Sequence, residues 1–304
     1  MTSPMRDRRR HQGTQDRGQR IRIILNADDF GRSTAINEAV KRAYEEGVLT
    51  SASLMVTGEA VEGAVELAHE MPDLAVGLHV VLVDGLAVLS AKEIPHLVDD
   101  HGRFPTDIVR MGVRYGFGRA AQGEMARELE AQFERFAATG LPLSHVDSHH
   151  HLHMHPTIFA RLVPLAEHYG AKGIRVPRGE LWLNLGYDRA MLASKVAWGA
   201  ALWVLLPWCR RCLRGSSLSV ARRVYGLMQS GQMHEPYVLC VLQRLDVPSA
   251  ELFFHPTVDP IAEPSGPNGA DLEALLSPRV RELIHERGLL RSRYAHLRLD
   301  SEAR

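Results

Sequence analysis

The sequence predicts a single (β/α) barrel, TIM-like and open to distortion. Three observations predict it. Short β-branched stretches alternate with amphipathic helical stretches from residue 21 onward, which is the pattern of parallel βα units. The chain has 304 residues, and α/β barrels run to about 250 residues as one unit. The reactive side chains fall at the carboxyl ends of predicted strands, the rim on which such barrels build their sites.

The elements follow in order. "IRIILN", Ile21 to Asn26, is short and β-branched and reads as a buried strand. After Gly31 comes a helix in "RSTAINEAVKRAYEEG", capped by Ser33 or Thr34, with Ile36, Val40 and Ala43 on one face and Gly47 closing it. "VLTSASLMV" is a second strand, "AVEGAVELAHEM" a helix and "LAVGLHVVL" a third strand. Residues 84–118, with Pro95, Pro105 and several glycines, read as a long irregular excursion of the kind that forms functional loops. "EMARELEAQFERFAATG" is a helix striped by Met125, Leu129, Phe133 and Phe136. "LSHVDS" is a strand, and "PTIFARLVPLAEHYG" a helix with Pro156 in its first turn and Gly170 at its end. "KGIRVPR", "YVLCVL" and "ELFFHP" are further strand candidates, and "DLEALLSPRVRELIHERG" is the last helix.

Composition narrows the function. Hydrophobic residues make up 45% and charged residues 24% of the chain, the formal net charge is zero and the pI is about 7.3. These are globular values without the basic excess of a nucleic-acid protein. Three cysteines, an odd and low number, fit a reducing cytoplasm. Cys209 and Cys212 form one C-x-x-C without the second pair that a structural zinc site needs, so they read as two unrelated thiols near a helix end. Residues 1–20 are polar and basic, with no apolar run; they read as a disordered tail, and the protein is expected to stay in the cytoplasm.

The chemistry concentrates at strand ends. "NADDFG" offers adjacent Asp28 and Asp29; one can bind a metal while the other stays free as a base. Neighbours on a strand point to opposite faces, so the chain must curl there for both to serve one site. His79 lies near the end of the third strand, Arg175 ends the fifth and His255 closes "ELFFH". "HVDSHHHLHMHP", residues 145–156, holds six histidines beside Asp147. His149 and His153 share a face if the run is helical; His149, His151, His153 and His155 share one if it is extended. Either way two imidazoles can meet one ion, and spacing alone leaves open which. A carboxylate with two imidazoles suits zinc, and also iron, manganese, cobalt or nickel. An ion to polarise a carbonyl, a carboxylate to take a proton and a histidine to protonate a leaving nitrogen make a hydrolytic set.

"ILNADDFG", "VGLHVVL", "HVDSHHHLHMHP" and "ELFFHP" together resemble the YdjC/ChbG-like carbohydrate deacetylases over most of residues 21–256. The resemblance implies a (β/α) barrel that removes an acetyl group from an N-acetylated sugar with one divalent metal ion, zinc or magnesium, with cobalt, nickel or manganese as substitutes. It implies Asp29, His79 and His149 as metal ligands, Asp28 as general base and His255 as acid. Arg175, His151 and His153 are then expected at the substrate, with His153 a reserve ligand. "GLHVVLVDGLAVLSAKEIPHLVDDHGRF" and "GLMQSGQM" are similar to the hopanoid-associated HpnK-like branch, which implies N-acetylglucosamine on a hopanoid lipid as substrate. "DSHHH" departs from that branch, whose members carry a lysine at one of these histidines. The alternatives are a deacetylase of soluble chitooligosaccharides and a non-catalytic metal- and sugar-binding protein.

Residues 191–214, "MLASKVAWGAALWVLLPWCRRCLR", form an apolar segment with three of the four tryptophans, followed by arginines. The apolar run from Val196 to Trp208 is shorter than the ~20 residues of a bilayer span. Tryptophan beside arginine is the pattern of a segment lying at a membrane interface, here expected to meet the lipid half of a glycolipid at the inner membrane. A buried barrel helix or a homodimer face is the competing use.

Overall fold

The computed structural model describes residues 20–259 and 266–297. All but the last residue of the expected tail 1–20 lies outside them. The elements run β1 (Arg22–Phe30), α1 (Thr34–Glu45), β2 (Ser51–Leu54), α2 (Val61–Glu70), β3 (Ala75–Val80), α3 (Ile108–Phe117), α4 (Arg119–Ala138), β4 (His145–Ser148), α5 (Pro156–His168), β5 (Gly173–Ile174), α6 (Leu181–Tyr187), α7 (Leu192–Cys212), β6 (Arg223–Tyr225), α8 (Glu235–Arg244), β7 (Ser249–Phe254), α9 (Gly269–Leu276), α10 (Pro278–Glu286) and β8 (Leu290–Arg291). The strands pair in parallel, in the order β5-β4-β3-β2-β1-β7-β6, and β8 pairs with the first residues of β1. An isolated parallel bridge joins Gly173, at one end of this path, to Ser219, just before the strand at the other. The result is a curled parallel sheet, a half-barrel consistent with a distorted TIM-like barrel.

Alternation along β1 sorts its side chains. Ile23, Leu25 and Ala27 enter the main core, packed with the surrounding helices. Ile24 instead joins a small inner cluster with Val224, Phe253 and Tyr294. The period of two then carries Asn26 and Asp28 to that inner side, and both are buried. The same sequence that makes the strand thus aims a carboxylate into the barrel.

Several expectations are corrected. "YVLCVL" is the helix α8, not a strand; Pro236 sits in its first turn, and Tyr237, Val238, Val241 and Leu242 are buried with helical spacing. Short apolar runs do not distinguish helix from strand by composition alone. The 84–118 excursion contains α3, whose Asp107 cap accepts from the Arg110 N–H at 2.9 Å. "KGIRVPR" contributes only the two-residue β5. The last helix is two, because Pro278 removes a donor and starts α10 while Ser277 caps it. The apolar segment is a 21-residue helix, long and apolar enough to cross a membrane by length and composition, of which Lys195, Leu202 and Cys209 are buried; residues 192–195 and 209–212 extend the run counted from sequence.

Candidate active site

The strand curls where the sequence requires it. The β1–β2 register shifts between Ala27 and Phe30, and Asp29 takes a left-handed backbone with φ 63°, an uncommon state for a non-glycine residue. The curl turns Asp28 and Asp29 onto one cavity of about 580 Å³, which His79, His149, His151 and His255 also line.

The two carboxylates find different company. Asp29 Oδ1 lies 3.1 Å from His149 Nδ1 and 3.4 Å from His79 Nε2. Asp147 Oδ1 accepts from His79 Nδ1 at 2.8 Å, which points Nε2 of His79 at Asp29; a cation there would take the place of the Nε2 proton. Burial lowers the basicity of His79, but Asp147 outweighs it and lifts the imidazole pKa to about 10. Burial likewise opposes the Asp29 carboxylate, yet the two imidazoles hold its pKa well below the ordinary range. Asp28 meets a guanidinium instead. Arg175 donates to both its oxygens at 2.7 and 2.8 Å, Asn26 Nδ2 donates at 2.8 Å, and His255 Nε2 stands 3.9 Å away.

The donors of Asp29, His79 and His149 suit a divalent cation. The three ligand-type atoms lie within 4.8 Å of one another. Asp29 Oδ1 is buried and faces only these two imidazole nitrogens, without a well-formed hydrogen bond among the described residues, which is rare for a buried polar atom. The charge count agrees. Asp28, Asp29, Asp147 and Glu251 are all buried, and they outnumber the guanidinium of Arg175 and the imidazolium of His79 among them. Two other groupings come within reach, Asp28–His79–Asp147 and Asp84–His149–His150. In the first both carboxylates already bind Arg175; the second lies at the exposed rim.

The histidine run is neither a regular helix nor a strand. It is a tight 3-10 turn over His149–Met154 in which His150 and His151 are left-handed, φ 53° and 54°. That double reversal sends successive imidazoles different ways. His149 faces Asp29, and His151 lines the cavity edge-on to Phe253. His150 Nε2 lies 3.3 Å from Asp84 Oδ2. His153 turns inward, and its ring and N–H grip the Ser148 hydroxyl at 2.7 and 2.8 Å while Nε2 meets the Arg175 carbonyl at 3.0 Å.

Arg175 and His153, expected at the substrate, are fully buried and are not among the residues that line the cavity. Arg175 is consumed by carboxylates: besides Asp28 it pairs with Asp147 and Glu251, each at 2.8 Å. His153 staples the turn that carries His149 and His151. Asp28, Asp29, His79, His149, His151 and His255 all come together on the cavity.

Some participants escaped the sequence reading. Glu251 ties Arg175 to the Tyr294 hydroxyl, which donates to it at 2.5 Å. A carboxylate inside the apolar strand "ELFF" was the available signal. Ser53 donates to Asp147 at 2.8 Å, and Asp271 accepts the His255 N–H at 2.8 Å. Ile108 of α3 and Trp198 of α7 form part of the cavity wall.

A parallel barrel rim carrying a cation-ready triad, a second oriented carboxylate and a histidine across from it has the parts of a metal-assisted hydrolase. The chain belongs to the YdjC-like protein family, whose model matches residues 22–286. It is 46% identical over 163 residues to a carbohydrate deacetylase of Brevibacillus brevis, 54% of this chain and 60% of the relative. It is 44% identical over 146 residues to a carbohydrate deacetylase of Geobacillus stearothermophilus, 48% of this chain and 56% of the relative. The chain thus spans less than two thirds of those two relatives. A chitooligosaccharide deacetylase of Salmonella dublin is 34% identical over 277 residues, 88% of this chain and 95% of that one. Among solved structures, a proposed cellobiose-phosphate cleavage protein of Enterococcus faecalis V583 shares the fold, with TM-score 0.69, 23% identity, and coverage of 90% of this chain and 98% of that one.

Proposed function

We propose that this protein is a metal-dependent deacetylase that removes the acetyl group from an N-acetylated sugar and releases acetate. The observation that carries this reading is the division of labour between adjacent carboxylates: Asp29 faces two imidazoles, whereas Asp28 is clamped by Arg175 opposite His255. Asp29, His79 and His149 would hold a divalent cation, which when bound supplies Lewis acidity toward the acetamide carbonyl and toward water. Asp28 takes the proton of the attacking water. Arg175 and Asn26 fix its carboxylate so that a lone pair stays aimed at the cavity. His255 delivers a proton to the departing amine nitrogen, its backbone held by Asp271. His151 contacts the bound sugar. Carbohydrate deacetylases among the relatives support the substrate class.

The finer substrate we infer is a sugar carried on an apolar aglycone, N-acetylglucosaminyl hopanoid, met at the cytoplasmic face of the inner membrane. Trp198 in the cavity wall and the exposed apolar helix that bears it support this. Soluble chitooligosaccharides are the second reading, favoured by the Salmonella relative. Asp28→Asn tests the assignment: turnover should fall about a thousandfold while the bound-metal content by elemental analysis stays unchanged. Retained turnover in that variant would remove Asp28 from its role.

A further inference from the structure

Among the described residues, nearly all exposed large apolar side chains lie on α3, α6 and α7 or at Met191, which opens α7; Val258 is the exception. Phe117 on α3 is 86% exposed, and Trp203 on α7 is 78% exposed. These helices are far apart in sequence but meet at one place. Gly116 of α3 lies against the His155 ring at the start of α5. Trp208 Nε1 of α7 donates to the carbonyl of Pro156, the next residue, at 3.1 Å. Leu181 of α6 packs on Gly199 of α7. The cavity opens between them, since Ile108 of α3 and Trp198 of α7 both line it.

Charge says what covers this face. Neither Ile108–Arg119 nor Arg189–Gly215 contains an acidic residue. Arg110 and Arg119 flank the apolar side chains of α3, and Arg210, Arg211 and Arg214 those of α7, all exposed. Tryptophan and phenylalanine edged by arginine match an anionic bilayer interface. Although α7 is long enough to span, it is bound along the barrel: Leu202 and Cys209 are buried in the core, and Lys195 is buried on Asp188 at 3.0 Å. A helix so tied lies in the membrane plane.

We propose that α3 and α7 form one docking face for an anionic lipid bilayer, with the active cavity opening onto it. The face itself is independent of the deacetylase reading; delivery of a lipid-borne sugar through it rests on that reading. The test is co-sedimentation of the full chain with vesicles of phosphatidylcholine and phosphatidylglycerol, without substrate. The protein should pellet with the vesicles, less so at high salt. Phe117→Ser and Trp203→Ser should each weaken partitioning by roughly tenfold and leave turnover of soluble chitobiose unchanged. Wild-type protein that stays in the supernatant overturns the proposal. Phe117→Ser protein that pellets like wild type removes α3 from the face and overturns it too. Variants that turn a dimer into a monomer, with no vesicle binding by wild type, assign the face to a second copy. Vesicle binding by a protein that releases acetate from no sugar refutes the enzyme reading and keeps the docking face.

Discussion

The floor of the cavity and its mouth are built on opposite principles. The floor is ionic and fully buried: Arg175 holds Asp28, Asp147 and Glu251 at 2.7–2.8 Å. The mouth is apolar and open, with Trp198 40% exposed at the edge of the cavity. A buried charge survives only with partners in place, so the floor admits little change and fixes the chemistry. An exposed apolar wall tolerates change, and under the proposed function it would meet the aglycone.

The largest effect should come from the floor. Asp29→Ala should lower kcat by about ten-thousandfold and abolish stoichiometric cation binding, read by acetate release and elemental analysis. Near wild-type turnover in that variant would break the assignment of the triad. Arg175→Met should destabilise the fold by about 3–5 kcal/mol in urea unfolding, because it strands buried carboxylates. A loss under 1 kcal/mol, on the order of an exposed ion pair, would show that the floor is not the anchor described.

Acid comes next. Burial pushes the imidazoles of His145 and His153 from 6.5 down to about 4. Between those values the unfolded chain binds protons that the fold refuses, so stability falls as pH falls through that window, by about 1.4 kcal/mol per pH unit for each group where the difference is complete. The depressed Asp29 and Asp147 carboxylates act in the same direction at lower pH. Burial raises the Glu128, Glu180, Glu251 and Asp271 carboxyls, which acts the opposite way, so the urea midpoint of His153→Gln should fall less between pH 6.5 and 5 than that of wild type, and an equal fall would contradict the buried neutral state. The smallest effect belongs to the mouth. Trp198→Ala should raise KM several-fold for a sugar on an apolar aglycone and leave chitobiose nearly untouched, a difference of about 1 kcal/mol. Equal losses on both substrates would move Trp198 from the aglycone to the sugar.

Legibility in sequence divides along the same line. The first strand and the curl after it were readable, because adjacent carboxylates cannot share one face of a regular strand; the left-handed Asp29 completes that curl. The histidine run announced a site but not its wiring, since two left-handed residues, His150 and His151, override both regular periods. Arg175 looked like a substrate contact because its strand-end position is what sequence displays; its partner Asp28 lies 147 residues away, and only the curled sheet brings them together. α3 was hidden in a stretch read as loop because its flanking glycines and prolines dominate the local pattern. The exposure of α7 was not derivable from hydropathy, which reads a core helix and an interfacial helix alike.

The central claim, that the two adjacent carboxylates divide metal binding and proton transfer, is tested most directly by one comparison. Acetate release from chitobiose and from an N-acetylglucosaminyl lipid is measured with and without chelator, for wild type, Asp28→Asn and Asp29→Ala, beside the metal content of each. The account predicts chelator-sensitive release by wild type alone, metal retained in Asp28→Asn and metal lost in Asp29→Ala. Release that survives chelation, or two variants with the same metal content, would contradict it.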